Sequence, residues 1–257
     1  MGSRTRRLMP ALGLSVALVA GCSAGGDTER SPGDPVTRAD ANALAELLHR
    51  NYTRGGADFV ATAPYGDDVV LTLTGEVDFR HETGRAVAVT TFGDGRADDT
   101  RTLFFTHEEL WVGETPGLTD ALAAAGAPGA TYLHRPLTAG DEGTTPPLVD
   151  VLLEVLLNLS SRTADDPRSF VDAGYTWEGQ RSIDSRLTSL FGLADGRTVA
   201  VAATDDLLTQ FVTPLAGGKI EATVTLSDHG TRSLPSPAPE ETAEADQHQE
   251  IAAAFGV

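Results

Sequence analysis

Apolar positions along this chain change their spacing repeatedly, and each change predicts a new element. They begin as one run, Leu8 to Val19, with Arg4, Arg6 and Arg7 before it and Ala20-Gly21-Cys22 after it. A basic start, a short apolar core and small residues at its end are the parts of a secretory leader. The run is shorter than the roughly 20 residues of a spanning helix. Residues 1–21 are therefore expected to be a signal peptide. Residues 22–38, rich in Gly, Ser, Asp and Pro, read as a flexible tether.

From Asp40 the apolar spacing is helical. Ala43, Leu44, Leu47 and Leu48 give one face to a helix that ends near Arg50, with Asp40 as its cap. The spacing then becomes two. Phe59 to Ala61, Val69 to Phe79, Ala86 to Phe92, Thr102 to Thr106 and Glu109 to Val112 read as successive strands. Turns fall at His81 to Arg85 and at Asp94-Gly95. A short helix is expected over Pro116 to Ala125, and a brief extended piece at Thr131 to His134.

Pro146-Pro147 opens the most apolar helix of the chain, 148–159. Leu148, Leu152, Val155, Leu156 and Leu159 recur on one side, while Val149, Val151, Leu153 and Leu157 add a second. A helix apolar on both sides is buried on most sides. A second run of strands follows at Tyr175 to Glu178, Ser182 to Phe191, Thr198 to Ala203, Leu207 to Thr213 and Lys219 to Leu226. Residues 236–257, Pro-rich and then acidic, read as a mobile tail with at most a short helix near Ile251 and Phe255. The folded body is thus expected at 39–235. Helix, strands, helices, strands in that order predicts an α+β fold: one curved antiparallel sheet, a half-barrel, with helices covering its concave apolar face.

Composition narrows the function. The chain has 257 residues, 40% of them hydrophobic, enough for a sizeable core. Its 37 acids against 19 bases give a net charge of −18, which excludes nucleic acid, whose binding needs clustered cations. The same charge is repelled by an anionic membrane, so attachment to one has to come from acyl chains. Cys22 is the single Cys, so no disulfide holds the body together.

Catalytic motifs fail on inspection. His107-Glu108-Glu109-Leu110-Trp111 begins like a zinc-protease helix, but Trp111 stands where the second His is required. No Gly-rich phosphate loop with Lys and no Gly-x-Ser-x-Gly elbow occurs. The six His are scattered, and Asp165-Asp166 and Asp205-Asp206 read as solvated turns and not as calcium loops. No catalytic residue, metal or cofactor is expected.

A Cys directly after Val19-Ala20-Gly21 resembles a bacterial lipobox. The resemblance implies diacylglyceryl transfer to the Cys22 sulfur, cleavage before it, and a lipid-anchored protein on the outer face of the plasma membrane. Further residues carry a wider likeness. These are Leu73-Thr74-Gly75-Glu76-Val77-Asp78-Phe79 with Ala86-Val87-Ala88-Val89, Glu109-Leu110-Trp111-Val112 with Pro116, the apolar helix, and Val224-Thr225-Leu226-Ser227-Asp228-His229-Gly230. In order and pattern, 39–235 resembles the actinobacterial lipoprotein family typified by the mycobacterial LppX and LprG lipid carriers. These share the half-barrel of the lipoprotein carrier LolA. The Pro-rich acidic end departs from that pattern.

The resemblance implies an apolar cavity that takes an acylated lipid or glycolipid and moves it across the cell envelope, with an envelope transporter of unknown identity as a partner. On the residues, Leu152, Val155, Leu156 and Leu159 can supply one wall of such a cavity. One face of each strand can supply the other: Val69, Leu71, Leu73, Val87, Val89, Val199, Val201, Val224 and Leu226. The alternative is that all of these fill a solid core. The protein would then be an envelope scaffold that regulates a partner. A hydrolase is the weakest reading, because no activated nucleophile stands out.

Overall fold

Two runs of antiparallel strands join side by side into one sheet in the computed structural model, which describes residues 30–66, 68–138 and 145–257. The expected leader, Cys22 and the first part of the expected tether lie outside the described residues. In chain order the elements are β1 (Asp34–Pro35), α1 (Arg38–Arg54), β2 (Gly56–Pro64), β3 (Val69–Asp78), β4 (Thr83–Phe92), β5 (Asp99–Thr106) and β6 (Glu109–Gly113). Then come α2 (Leu118–Ala124), β7 (Tyr132–Pro136), α3 (Leu148–Leu157) and α4 (Pro167–Asp172). The second run is β8 (Thr176–Ile183), β9 (Arg186–Gly192), β10 (Thr198–Ala202), β11 (Leu208–Leu215) and β12 (Ile220–Ser227), followed by β13 (Thr242–Glu244) and α5 (Gln249–Phe255).

The strand order is β1-β8-β9-β10-β11-β12-β2-β3-β4-β5-β6-β7-β13. Each run is a meander, and β12 lies against β2 to weld the two together. Every pairing is antiparallel except β13 on β7. This is the expected open, curved antiparallel sheet, with α1 and α3 packed on the apolar face. Residues paired across strands share a face, so the register shows what that face is made of. One row runs Leu226, Phe59, Gly75, Ala86, Leu103, Val112; the next runs Val199, Phe211, Val224, Ala61, Leu73, Ala88. Gly84 is obligatory on this side, because a Cβ there would lie 2.1 Å from the Phe105 ring, which itself meets Phe59 edge-on at 6.4 Å.

Local chemistry explains where elements begin and end. Thr37, not Asp40, is the N-cap of α1. Its hydroxyl accepts from the Asp40 N–H at 3.2 Å, and the Asp40 carboxylate accepts from the Thr37 N–H at 2.8 Å. This reciprocal capping box starts the helix three residues before the expected cap. Gly55, at φ 103°, ends it beyond Arg50. The segment 182–191 is not one strand. It is broken at Asp184-Ser185, whose φ values of 48° and 62° make a tight hairpin turn without glycine. Asp166, read as part of a turn, caps α4 by accepting from the Arg168 N–H at 2.9 Å, with Pro167 in the first helical position.

Two segments expected to be loose are built into the sheet. The end of the tether supplies β1, paired with Trp177 and Thr176, and Val36 is buried beside it. The Pro-rich acidic segment supplies β13, which covers the edge of β7, and α5. Its small side chains Ala243, Ala245 and Ala252 pack on Leu118, Leu122 and Leu133. Acidic, Pro-rich composition hides three alanines that suffice to bury an otherwise open edge. α3 is buried on most sides as expected, with Leu152, Leu153 and Leu156 wholly inaccessible. No helix among the described residues is long and apolar enough to cross a membrane.

Candidate functional site

The helices do not close fully on the sheet. Between them lies a cavity of about 750 Å³. α1 contributes Leu44, Leu47 and Leu48, three positions of its apolar stripe. α3 and the residue after its cap contribute Val151, Val155 and Leu159. Val199, Leu208 and Phe211 come from the inner face of β10 and β11. Phe170 of α4 closes one side, with its ring 5.1 Å from that of Tyr175. The walls are apolar because each element turns its hydrophobic stripe inward while the elements stay apart.

The rim is polar. Glu154 and Asn158, both exposed, come from the solvent side of α3 and its cap, and Asp165 and Ser169 from the approach to α4 and its first turn. Arg197 is held by Asp195, its Nε donating to Oδ2 at 2.8 Å. That hydrogen bond raises the Arg197 pKa and lowers the Asp195 pKa. Burial of the Tyr175 ring pushes its hydroxyl pKa upward, helped by Asp195 and Asp165 and opposed by Arg197. The rim therefore offers hydrogen-bond donors and acceptors with fixed charges of both signs.

The thirteen apolar positions named from the sequence separate in the structure. Val155, Leu159 and Val199 line the cavity. Leu73, Leu152, Leu156, Val201, Val224 and Leu226 are buried in the packed core. Leu71 lines a smaller cavity of about 310 Å³ with Leu148, Val149, Arg101 and Arg135. Val69 is half-buried at the start of β3. Val87 and Val89 need correction: they lie on the outer face, and Val87 is 43% exposed. Ala86-Val87-Ala88-Val89 is apolar in both phases, so spacing alone sets no direction. Pairing of Leu73 with Ala88 sets it, turning the alanines inward and the valines out. Leu44, Leu47 and Leu48 were legible as a helix stripe but not as a cavity wall. Phe170 stood in an acidic, Pro-containing stretch that carries no apolar period.

α3 is anchored at its start by a buried ion pair. Arg135 of β7 donates from Nη1 and Nη2 to the two oxygens of Asp150, both at 2.7 Å, and the Thr138 N–H donates to the same carboxylate at 2.8 Å. The Asp150 side chain is wholly buried and that of Arg135 15% exposed. Among the described residues no group of three or more His, Cys, Asp or Glu is placed to hold a metal ion.

No family model and no curated protein matches the chain. Solved structures overlap it loosely. An uncharacterized conserved protein from Thermus thermophilus is 8% identical, with 80% of this chain and 99% of that chain covered at a TM-score of 0.39. A LolA superfamily protein from Nitrosomonas europaea is 11% identical, with 78% and 96% covered at a TM-score of 0.27. A DUF1329 family protein from Desulfovibrio piger is 12% identical, with 79% and 95% covered at a TM-score of 0.28.

Proposed function

We propose that this chain is a non-enzymatic carrier that shelters the acyl part of a lipid or glycolipid in the cavity between α1, α3, α4 and the sheet. The observation that carries this reading is the cavity itself: apolar walls, polar rim, about 750 Å³. Its size lies within the ~300–1,000 Å³ range of small-molecule sites. The pocket opens to solvent at its rim, so its apolar walls meet water unless a ligand covers them, and such walls favour hydrocarbon over water. Burying about ten methylenes contributes ~8 kcal/mol, from which the cost of immobilising the ligand is subtracted, so a lipid held in this way is retained in water and can still be released. The rim residues Glu154, Asn158 and Arg197 face the polar head in this arrangement.

Native mass spectrometry of the full chain, followed by organic extraction, tests the proposal. The expected result is a discrete added mass that extracts as acylated lipid. Val155→Trp fills the cavity from a position that is only half-buried, so the folded variant should lose most of that mass. A bare wild-type mass after expression in a related host would sink the carrier reading and favour the scaffold.

Attachment to the outer face of the plasma membrane through an acylated Cys22 is the second part of the proposal, motivated by the lipobox-like Val19-Ala20-Gly21-Cys22. Cys22→Ala should abolish incorporation of a fatty-acid label and leave unprocessed precursor. Equal labelling of the variant and the wild type would rule the anchor out.

A further inference from the structure

The mouth of the apolar cavity carries more acid than base. Glu154, on the solvent side of α3, and Asp165, on the approach to α4, both line it and are both exposed. Neither carboxylate makes an ion pair or a hydrogen bond with a described residue. Arg197 is the only cation among the described residues of the lining. Its guanidinium is taken up by Asp195: Nε donates to Oδ2 at 2.8 Å, and Nη2 reaches the same oxygen at 2.8 Å. The Arg197 N–H donates to the other oxygen of that carboxylate at 3.1 Å, which fixes the pair in one turn. With Asp195 counted, three carboxylates stand against one guanidinium. The uncharged groups at the mouth are of the kind that bond hydroxyls. Asn158 exposes an amide, donor and acceptor at once. Burial pushes the Tyr175 pKa upward, opposed by Arg197 and helped by Asp195 and Asp165, so its hydroxyl keeps the proton. The Ser169 hydroxyl donates to the Asp166 carbonyl at 2.6 Å and is left as an acceptor.

We propose that this mouth selects lipids by the charge of the head group: it admits uncharged, hydroxyl-bearing heads and turns anionic heads away, with Glu154 and Asp165 as the residues that discriminate. The proposal rests on the reading of the cavity as a lipid site and names the head that such a site takes. An acyl chain seated between α1, α3 and the sheet brings its head to this mouth. A phosphate or carboxylate there meets two unpaired carboxylates and a cation that Asp195 already neutralises, so the like-charge repulsion is uncompensated. A glycerol or sugar hydroxyl instead donates to the same carboxylates, and ionised acceptors make the stronger hydrogen bonds. The net charge of −18 repels anions over the whole surface, but Glu154 and Asp165 set that repulsion where the head lies. Both carboxylates are wet, so the discrimination is several-fold and falls with salt.

Competition within one vesicle tests this, because all lipids then meet the protein at the same surface potential. The full chain is incubated with dioleoyl phosphatidylcholine vesicles that carry equal shares of dioleoyl phosphatidylglycerol, dioleoylglycerol and monogalactosyl dioleoylglycerol. The protein is recovered, and its adducts are weighed by native mass spectrometry. The acyl chains are identical, so the ratio of adducts reads the head alone. The uncharged lipids should exceed phosphatidylglycerol about fivefold, the size expected of like charges a few ångströms apart at a wet rim. Glu154→Gln with Asp165→Asn keeps the shape of both exposed side chains and should bring the ratio close to one, as should about 0.5 M salt with the wild type. Equal loading of the two uncharged lipids shows that absence of charge suffices; an excess of the galactolipid shows that sugar hydroxyls are bonded as well. Phosphatidylglycerol loaded as well as the uncharged lipids, or a ratio that the double variant leaves unchanged, overturns the proposal while the carrier reading stands. No adduct with any of the lipids overturns both.

Discussion

Asp150→Ala should lower the unfolding free energy by about 3–5 kcal/mol, the usual cost of stranding one partner of a buried ion pair. The pair meets the conditions for that cost. The Asp150 side chain is wholly inaccessible, and both of its oxygens are bonded to Arg135 at 2.7 Å. Without the carboxylate, a mostly buried guanidinium keeps only the Pro136 carbonyl, to which its Nη1 donates at 2.9 Å, and the Thr138 N–H loses its acceptor as well. With a urea slope of ~2 kcal/mol per molar, the midpoint should fall by about 1.5–2.5 M. The double variant Arg135→Met with Asp150→Leu removes both charges and should recover most of the loss, because desolvation offsets most of what such a pair gains. A single variant that unfolds within about 1 kcal/mol of wild type would mean that the pair is not buried as described.

Leu156→Ala should cost about 2–5 kcal/mol, while Val155→Ala, one position earlier on α3, should cost about 1 kcal/mol. Leu156 is wholly inaccessible, so truncating it leaves a void among packed neighbours. Val155 already borders open space, so its removal widens the cavity and strands little. Denaturant unfolding of the two variants and mass spectrometry of their bound lipid should therefore separate. The Leu156 variant loses stability, and the Val155 variant changes its ligand load. Equal destabilisation by both would show that α3 has no face turned to a cavity.

Most of the sheet was legible because turns and alternation agree there. Val69 to Asp78 pairs with Thr83 to Phe92 as the period-two pattern and the intervening turn require. Missed boundaries fall where the signal is chemical and not periodic. The capping box of Thr37 and Asp40 gives two acceptable caps three residues apart. The Asp184-Ser185 turn carries no glycine to mark it. The cavity is a different case. Val155 and Leu156 are adjacent, apolar and helical, yet only one faces open space. That distinction depends on how far α1 and α4 stand from the sheet, and no local pattern records a distance between elements. Arg135 and Asp150 lie 15 positions apart and carry no mark of their pairing. Cys22, the most specific signal in the chain, lies outside the described residues.

The weld between β12 and β2 has a consequence for the order of assembly. β2 to β7 can zip together from neighbouring hairpins, whose loops are short and close quickly. One flank of β2 then has to wait for β12, which follows only after the apolar helix and four more strands. The flank of β7 waits longer still, for β13. A half-made sheet therefore displays two bare edges, and each invites pairing with another chain. Both are covered by strands from the C-terminal half of the chain, so the slow, long-range steps of folding are also the ones that protect it from aggregation.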